Sequence, residues 1–194
     1  MSSAASAPDV LALIAPNGLG HLRRQVGILS RLLERVASIR VHVLCADAQM
    51  ARIRDWERAA RFFGDPRVTR TGRVLDPGVT WSTDTAYYKN GSLVEWLDRL
   101  SRVPDLERAR LVVSDNLAGV LAFRSDAILA GSFLWGDVLM GAHAASEQVR
   151  DFAAAEDELL ARHRPPMLCV KDVAMPAVVG ATRAVRLEWM CDDA

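Results

Sequence analysis

Apolar and polar positions alternate along the chain in blocks that predict strands and helices in turn. Residues 10–15 form an unbroken apolar run, which is typical of a strand buried on both faces of a sheet. Between residues 22 and 36, apolar side chains recur at three- and four-residue steps with arginines between them, which indicates an amphipathic helix. Residues 39–45 read as a second strand and residues 46–63 as helical. The order strand, helix, strand, helix predicts a parallel sheet.

The rest of the chain continues this order with one irregular stretch. Predicted strands lie at 68–75, 111–113, 127–131, 167–170 and 173–175, predicted helices at 92–103 and 146–163, a brief helix after 116, a turn at 76–78 and a loop from there to 89. A capping-box pattern, Ser92 with Glu95, marks the start of the 92–103 helix. The acidic stretch at 156–158 is most simply a solvent-exposed helix face.

These elements predict an α/β fold, a Rossmann-like and mainly parallel sheet with helices on both faces. The chain has 194 residues, 51% of them hydrophobic, which is enough for one domain with its own core. We expect a flexible N-terminus at 1–8 and a single domain at 9–194.

Charge and cysteine content narrow the function classes. Lys plus Arg and Asp plus Glu both number 24, so no overall field favours nucleic acid as a partner. The three cysteines are far apart, which argues against a disulfide framework or a zinc cluster. The N-terminus has no basic region, and the apolar run behind it is too short for a signal peptide or a membrane span. We therefore expect a cytoplasmic protein, while membrane contact through an amphipathic face stays open.

A glycine-bracketed turn follows the first predicted strand. In the stretch APNGLGHLRR, Gly18 and Gly20 allow the backbone to approach a ligand closely, beside Asn17, and the helix that starts there presents unpaired N–H groups. Arg23 and Arg24 in the first turns face the unfavourable end of the helix dipole, a cost that a bound anion would reverse. The alternative is that both arginines simply reach solvent.

His21 in the same turn is a candidate general base, and Asp115 is its best partner. Both residues lie at carboxyl ends of strands that should be neighbours, where open parallel sheets bind their ligands. Asp115 could instead cap the helix after it, with Asn116 as its rival. A third polar cluster runs from Ser132 to Trp135, where Phe133 and Trp135 either stack on a sugar ring or belong to the core.

Two stretches of sequence carry a resemblance to a known family. The strand, GLGH turn and helix at the start of the chain, together with the strand end Val112-Val113-Ser114-Asp115, resemble the N-terminal domain of GT-B glycosyltransferases. The similarity is to relatives of the peptidoglycan N-acetylglucosaminyltransferase and of the nucleotide-sugar hydrolase of pseudaminic acid synthesis. It covers most of residues 10–140 in order.

The resemblance implies an acceptor-binding domain that works with a nucleotide-sugar-binding domain. It implies His21 as the base, Asp115 as its acid, and Gly18 and Gly20 against the donor phosphates or the acceptor. The acceptor would be a sugar or glycolipid and the donor a nucleotide-sugar, with no tightly bound cofactor or metal. After residue 163 too few residues remain for the donor domain, so we expect it on a missing C-terminal part or a partner subunit, and no activity from this chain alone.

Two other functions stay open. One is a module that binds an anionic sugar or nucleotide without catalysis. The other is a nicotinamide-dependent oxidoreductase, because Gly18-x-Gly20 supplies two glycines of the dinucleotide fingerprint and Asp47 could hold the ribose. Arg23 occupies the place of the third glycine, where we expect it to obstruct close packing of the helix on the strand.

Overall fold

Nine strands and seven α-helices lie in the part of the chain that the structure describes. This computed structural model describes residues 7–16, 18–72, 79–81, 86–88 and 93–188. The strands are β1 (Val10–Ile14), β2 (Val41–Cys45), β3 (Val68–Gly72), β4 (Val79–Trp81), β5 (Ala86–Tyr88), β6 (Leu111–Asp115), β7 (Ile128–Ala130), β8 (Pro166–Val170) and β9 (Arg183–Leu187). The helices are α1 (Leu19–Arg35), α2 (Asp47–Arg52), α3 (Glu57–Gly64), α4 (Leu93–Ser101), α5 (Trp135–His143), α6 (Glu147–His163) and α7 (Pro176–Ala181), with a 3-10 helix at Ala118–Ala122.

Seven of the strands form one parallel sheet in the order β3-β2-β1-β6-β7-β8-β9. The chain runs outward from β1 to β3 on one side and from β6 to β9 on the other, so the strand order reverses between β1 and β6. In this register Ile14 lies beside Asp115, and both strands end at the same edge. The predicted Rossmann-like α/β fold is confirmed, and the crevice between β1 and β6 is where such sheets bind ligands.

The alternation of side chains along β1 divides the core between the two faces of the sheet. Leu11 and Leu13 pack in a core under α4, α5, α6 and the 3-10 helix. Val10, Ala12 and Ile14 pack in a second core under α1 and α3. All five side chains are at most 1% exposed, as expected for a central parallel strand. No helix among the described residues is both long and apolar enough to cross a bilayer.

Several predicted boundaries differ from the structure. The helix predicted at 46–63 is two helices, α2 and α3, and residues 173–175 form a turn and a connection rather than a strand. Helix α5 and strand β9 were not predicted, and β4 and β5 pair as an antiparallel hairpin inside the predicted loop. Residues 1–6, 73–78 and Ser92 lie outside the described residues, so the flexible N-terminus, the turn and the capping box stay predictions.

Glu156 is the exception to the expectation that the acidic stretch is a solvated helix face, since Asp157 and Glu158 are exposed as predicted. It is 2% exposed, and its carboxylate accepts a hydrogen bond of 2.6 Å from the backbone N–H of Gly136 in the first turn of α5. Burial, together with the charges of Asp157 and Asp137, raises its pKa from 4.5 to about 7 even though the Gly136 and Trp135 N–H groups oppose the shift. The carboxylate therefore joins α6 to the start of α5.

The raised pKa of Glu156 predicts how the stability of the protein depends on pH. Because the folded protein holds the proton more tightly than the unfolded chain, this group's contribution is complete below pH 4.5 and is lost as the pH rises to about 7. The rise corresponds to roughly 3 kcal/mol. Relative to the wild type, Glu156→Gln should therefore gain stability between those pH values, as measured by urea unfolding. The matched control is Glu158→Gln, an exposed residue paired with Arg162 on the same helix, which should follow the wild-type pH dependence.

Candidate functional site

The turn between β1 and α1 is hydrogen-bonded to the side chain of Gln49 in α2. Gly18 caps α1 with φ of 90°, a left-handed conformation that glycine adopts without strain. The Gln49 amide nitrogen donates to the carbonyls of Ala15 and Gly18, each at 2.9 Å, and its oxygen accepts from the backbone N–H of Ala46. Gln49 is 3% exposed, so the position of the turn is fixed by a buried amide that the sequence pattern did not reveal.

Three side chains from the first turns of α1 converge on Asp115 at the end of β6. His21 Nδ1 lies 2.6 Å from Oδ1 of Asp115. Arg24 donates to both carboxylate oxygens, from Nη2 to Oδ1 at 2.5 Å and from Nε to Oδ2 at 2.9 Å. The amide nitrogen of Gln25 donates to Oδ2 at 2.9 Å. The helix places residues 21, 24 and 25 on one side, and this side faces the crevice between β1 and β6.

Asp115 is ionised although no part of its side chain is exposed. Burial alone would raise its pKa, but the charge of Arg24 and the hydrogen bond from His21 bring the pKa below the ordinary value of 3.8. A carboxylate without a proton can only accept, so the proton between the two residues belongs to Nδ1 of His21. In the neutral ring, Nε2 is then the nitrogen with the free lone pair, which is the tautomer a general base needs.

His21 is enclosed but retains some access to solvent. Its side chain is 9% exposed, and the ring of Phe133, in the loop after β7, meets it edge-on at a centroid distance of 5.9 Å. The described residues contain no group of three or more His, Cys, Asp or Glu side chains that could hold a metal ion. The cluster itself consists of an imidazole oriented by a buried carboxylate.

The two arginines of the turn have different surroundings. Arg24 is only 13% exposed, and its guanidinium is paired with the carboxylate of Asp115. Arg23 is exposed, and its guanidinium lies 5.6 Å from the centroid of the Trp56 ring, a cation–π contact. Arg23 therefore points away from β1 and does not obstruct the packing of α1, contrary to expectation. Asp115 also does not cap the following 3-10 helix, whose capping residue is Leu117 without a side-chain bond.

The remaining predicted site residues lie at different depths. Gly18 and Gly20 are exposed at the start of α1, and Ser132 is half-buried beside Phe133. Trp135 is only 1% exposed and meets Phe133 edge-on at 5.1 Å, so its ring belongs to the core and presents no open face to a sugar. Asn17 lies outside the described residues. Asp47, the candidate ribose ligand, is bound by Arg70 at 2.7 Å.

Asn116 next to Asp115 has an unusual backbone and an unusual side chain. Its φ is 55°, in the left-handed region that asparagine tolerates better than most residues. Its side-chain amide is buried and has no hydrogen-bond partner among the described residues. A Cβ built on Gly131, at the end of the neighbouring β7, would lie 1.5 Å from its Oδ1. The two strand ends are therefore packed so closely that position 131 requires glycine.

The close packing predicts that Gly131→Ala is destabilising. The new methyl group would displace the Asn116 amide and crowd the side chain of Met167, and overpacking of this kind costs about 1–3 kcal/mol. Gly180→Ala is the matched control, because a Cβ at that α7 position meets no atom within 4 Å. Thermal unfolding of both variants compares them. Equal melting temperatures for Gly131→Ala and the wild type would show that the two strand ends are not packed as described.

Comparison with known proteins does not assign this chain to a family. Neither a scan against protein-family models nor a search of curated proteins finds a match.

Proposed function

We propose that this chain is the acceptor-binding half of a glycosyltransferase, in which His21 takes the proton from the acceptor hydroxyl. The observation that supports this most strongly is the 2.6 Å contact between His21 and the buried carboxylate of Asp115. It lies where the strand order reverses, in the crevice in which α/β sheets bind ligands. The resemblance of the GLGH turn and the VVSD strand end to GT-B enzymes suggests the substrates.

In the proposed reaction, the acceptor hydroxyl donates its proton to Nε2 of His21 as its oxygen attacks the anomeric carbon of the donor sugar. The bond from that carbon to the nucleotide breaks, and the nucleoside diphosphate leaves with the electron pair. Asp115 stays ionised and stabilises the imidazolium that forms, as the carboxylate of a catalytic triad does. Arg24 and Gln25 fix Asp115 and, through it, the ring of His21.

The exposed start of α1 suits the diphosphate of the donor. Gly18 provides no side-chain cap and the first turn contains no acidic residue, so the N–H groups of this turn lack an anionic partner from the helix itself. Helix N-termini of this kind favour phosphate. Arg24 is bound to Asp115, so Arg23 is the arginine of this turn that remains for an anion in the proposal. The donor itself would be held mainly by a separate nucleotide-sugar domain or subunit.

Binding measured on the chain itself tests the proposal. Saturation-transfer NMR is expected to show weak binding of hydroxyl-bearing sugars and glycolipid head groups. In spectra of the protein itself, these ligands should shift the ring signals of His21. Asp115→Asn should alter those shifts, while Asp126→Asn, which removes an exposed carboxylate paired with Arg124, should leave them unchanged. Tight binding of a nucleotide-sugar to the isolated chain would contradict the division of donor and acceptor. A rise in melting temperature with NAD alone would favour an oxidoreductase instead.

A further inference from the structure

Asn116 carries a buried amide that the proposed chemistry of His21 and Asp115 does not use. The residue is 5% exposed, and neither its amide nitrogen nor its amide oxygen has a hydrogen-bond partner among the residues that the structure describes. Buried polar side chains are nearly always paired, because an unpaired one loses its hydrogen bonds to water without replacement. The amide of Asn116 therefore has both a donor and an acceptor to offer to a ligand.

The backbone on both sides of this amide is fixed by hydrogen bonds to neighbouring segments. The N–H of Asn116 donates to the carbonyl of Ala130 at 2.9 Å, and the N–H of Gly131 donates to the carbonyl of Leu168 at 2.9 Å. The carbonyl of Ser132 accepts a bond of 2.8 Å from the segment before α7. The ends of β6 and β7 thus form a rigid frame around a side chain that has no partner within it.

The amide lies beside the proposed base. Asn116 directly follows Asp115, whose carboxylate contacts His21. The loop after β7 also joins the two positions, because Gly131 packs against the amide of Asn116 and Phe133 meets the ring of His21. The Cα atoms of residues 131 and 133 are at most about 7 Å apart. A sugar with one hydroxyl group at Nε2 of His21 would therefore have its neighbouring hydroxyl groups close to Asn116.

We propose that Asn116 binds the acceptor sugar through a hydroxyl group next to the one that His21 deprotonates. This inference rests on the proposed function and specifies the acceptor as a sugar with neighbouring hydroxyl groups. A hydroxyl group both donates and accepts, so it suits an amide with both roles unpaired, whereas an anion would use the donor alone. In the free protein the amide packs against Gly131, and rotation about its side-chain bonds turns it to the sugar. Pairing then recovers the free energy that the buried amide costs.

Monodeoxy sugars test this contact on the chain itself. The probes are methyl glucopyranoside and its monodeoxy analogues, and NMR titration of the ¹⁵N-labelled protein measures the dissociation constant of each. Loss of one particular hydroxyl group is expected to weaken binding to the wild type by about tenfold, because the amide of Asn116 then stays unpaired. The side-chain NH₂ signals of Asn116, assigned by triple-resonance NMR, should shift with the parent sugar and not with that analogue.

Asn116→Gly removes the amide and is expected to fold, since glycine adopts the φ of 55° at this position without strain. It should bind the parent sugar about tenfold more weakly than the wild type does and should no longer distinguish it from that analogue. The matched control is Asp105→Gly, because Asp105 is another non-glycine residue with a positive φ, 63°, and lies before β6 rather than at its carboxyl end. It should keep the wild-type affinities.

Two results would overturn the proposal and leave the role of His21 untouched. One is equal affinity of Asn116→Gly and the wild type for the parent sugar. The other is a set of Asn116 NH₂ signals that do not move when the sugar binds, which the wild type alone can show if the variant does not fold. Failure of the proposed function gives a different result, because His21→Asn would then be fully active in sugar transfer while the sugar still binds through Asn116. If none of the sugars binds, both proposals are wrong.

Discussion

Replacing His21 by asparagine is expected to slow sugar transfer by about 10²- to 10⁴-fold while leaving the fold intact. The asparagine side-chain amide can occupy the position of Nδ1 and donate to Asp115, but nothing then occupies the position of Nε2. The substitution thus removes the proposed base and keeps the hydrogen bond that holds the start of α1 to β6. Initial rates of nucleoside diphosphate release measure the effect, in the chain supplied with the proposed nucleotide-sugar-binding domain or subunit.

His42→Asn is the matched control, because this histidine lies on β2 and contacts Thr69 and Thr71 rather than Asp115. It should transfer sugar at the wild-type rate. A His21→Asn protein that is folded and as active as this control would exclude His21 as the base. A loss of activity accompanied by a lower melting temperature would instead show that residue 21 acts mainly through the fold.

Replacing Arg24 by methionine is expected to destabilise the fold by about 3–5 kcal/mol at pH 7, because it leaves a buried carboxylate without its charged partner. Asp115 is fully buried and Arg24 is 13% exposed, so water replaces little of the lost interaction. Urea unfolding at pH 7 measures the loss. Arg23→Met, which removes only an exposed cation–π contact, is the control and should cost about 1 kcal/mol or less.

The loss of stability in Arg24→Met should depend on pH in a definite direction. In the wild type the pKa of Asp115 is lowered, so its contribution to stability is present above the unfolded value near 3.8 and is lost only as the pH falls below it. Without Arg24, burial dominates and raises that pKa, so the variant regains stability as Asp115 takes up a proton. The difference between variant and wild type should therefore be smaller at pH 4 than at pH 7. A deficit that is equal at both pH values would contradict an ionised Asp115.

The alternation of apolar runs and helical periodicity predicted the sheet class because strands buried on both faces leave a strong pattern. The runs around β1 and β2 and the period along α1 all appear in the structure at nearly the predicted residues. Strand β9 escaped prediction because it is an edge strand with arginines at 183 and 186, and these interrupt its apolar residues. The division between α2 and α3 escaped because residues 53 and 56 keep the helical period across the break.

The site was predicted in part. Strand ends and the glycine turn suggested His21 and Asp115, and the structure brings these two residues into contact. Their stabilising partners were missed or assigned otherwise: Arg24 was expected to face solvent or a ligand, and Gln25 was not considered. The spacing of residues 21, 24 and 25 predicts that they share one side of a helix. It does not predict which strand end that side faces.

The burial of Glu156 was predicted wrongly and that of Trp135 was left open, and both outcomes have the same reason. A sequence pattern shows which residues are polar or aromatic, but packing decides which of them are buried. Glu156 is buried because α6 lies against the start of α5, where backbone N–H groups bind the carboxylate. Trp135 is buried by the same contact between helices, which a single chain without related sequences does not reveal.

The tautomer of His21 decides whether its ring can act as the base in the proposed transfer. In ¹⁵N-histidine-labelled protein at about pH 8, where an ordinary histidine is neutral, the ring spectrum of His21 can be assigned by its absence in His21→Asn. We predict a proton on Nδ1, hydrogen-bonded to Asp115, and an unprotonated Nε2, with the hydrogen-bonded proton signal lost in Asp115→Asn. A His21 ring that carries its proton on Nε2 would rule out the proposed base, since Nε2 would then have no lone pair to take the proton of the sugar hydroxyl.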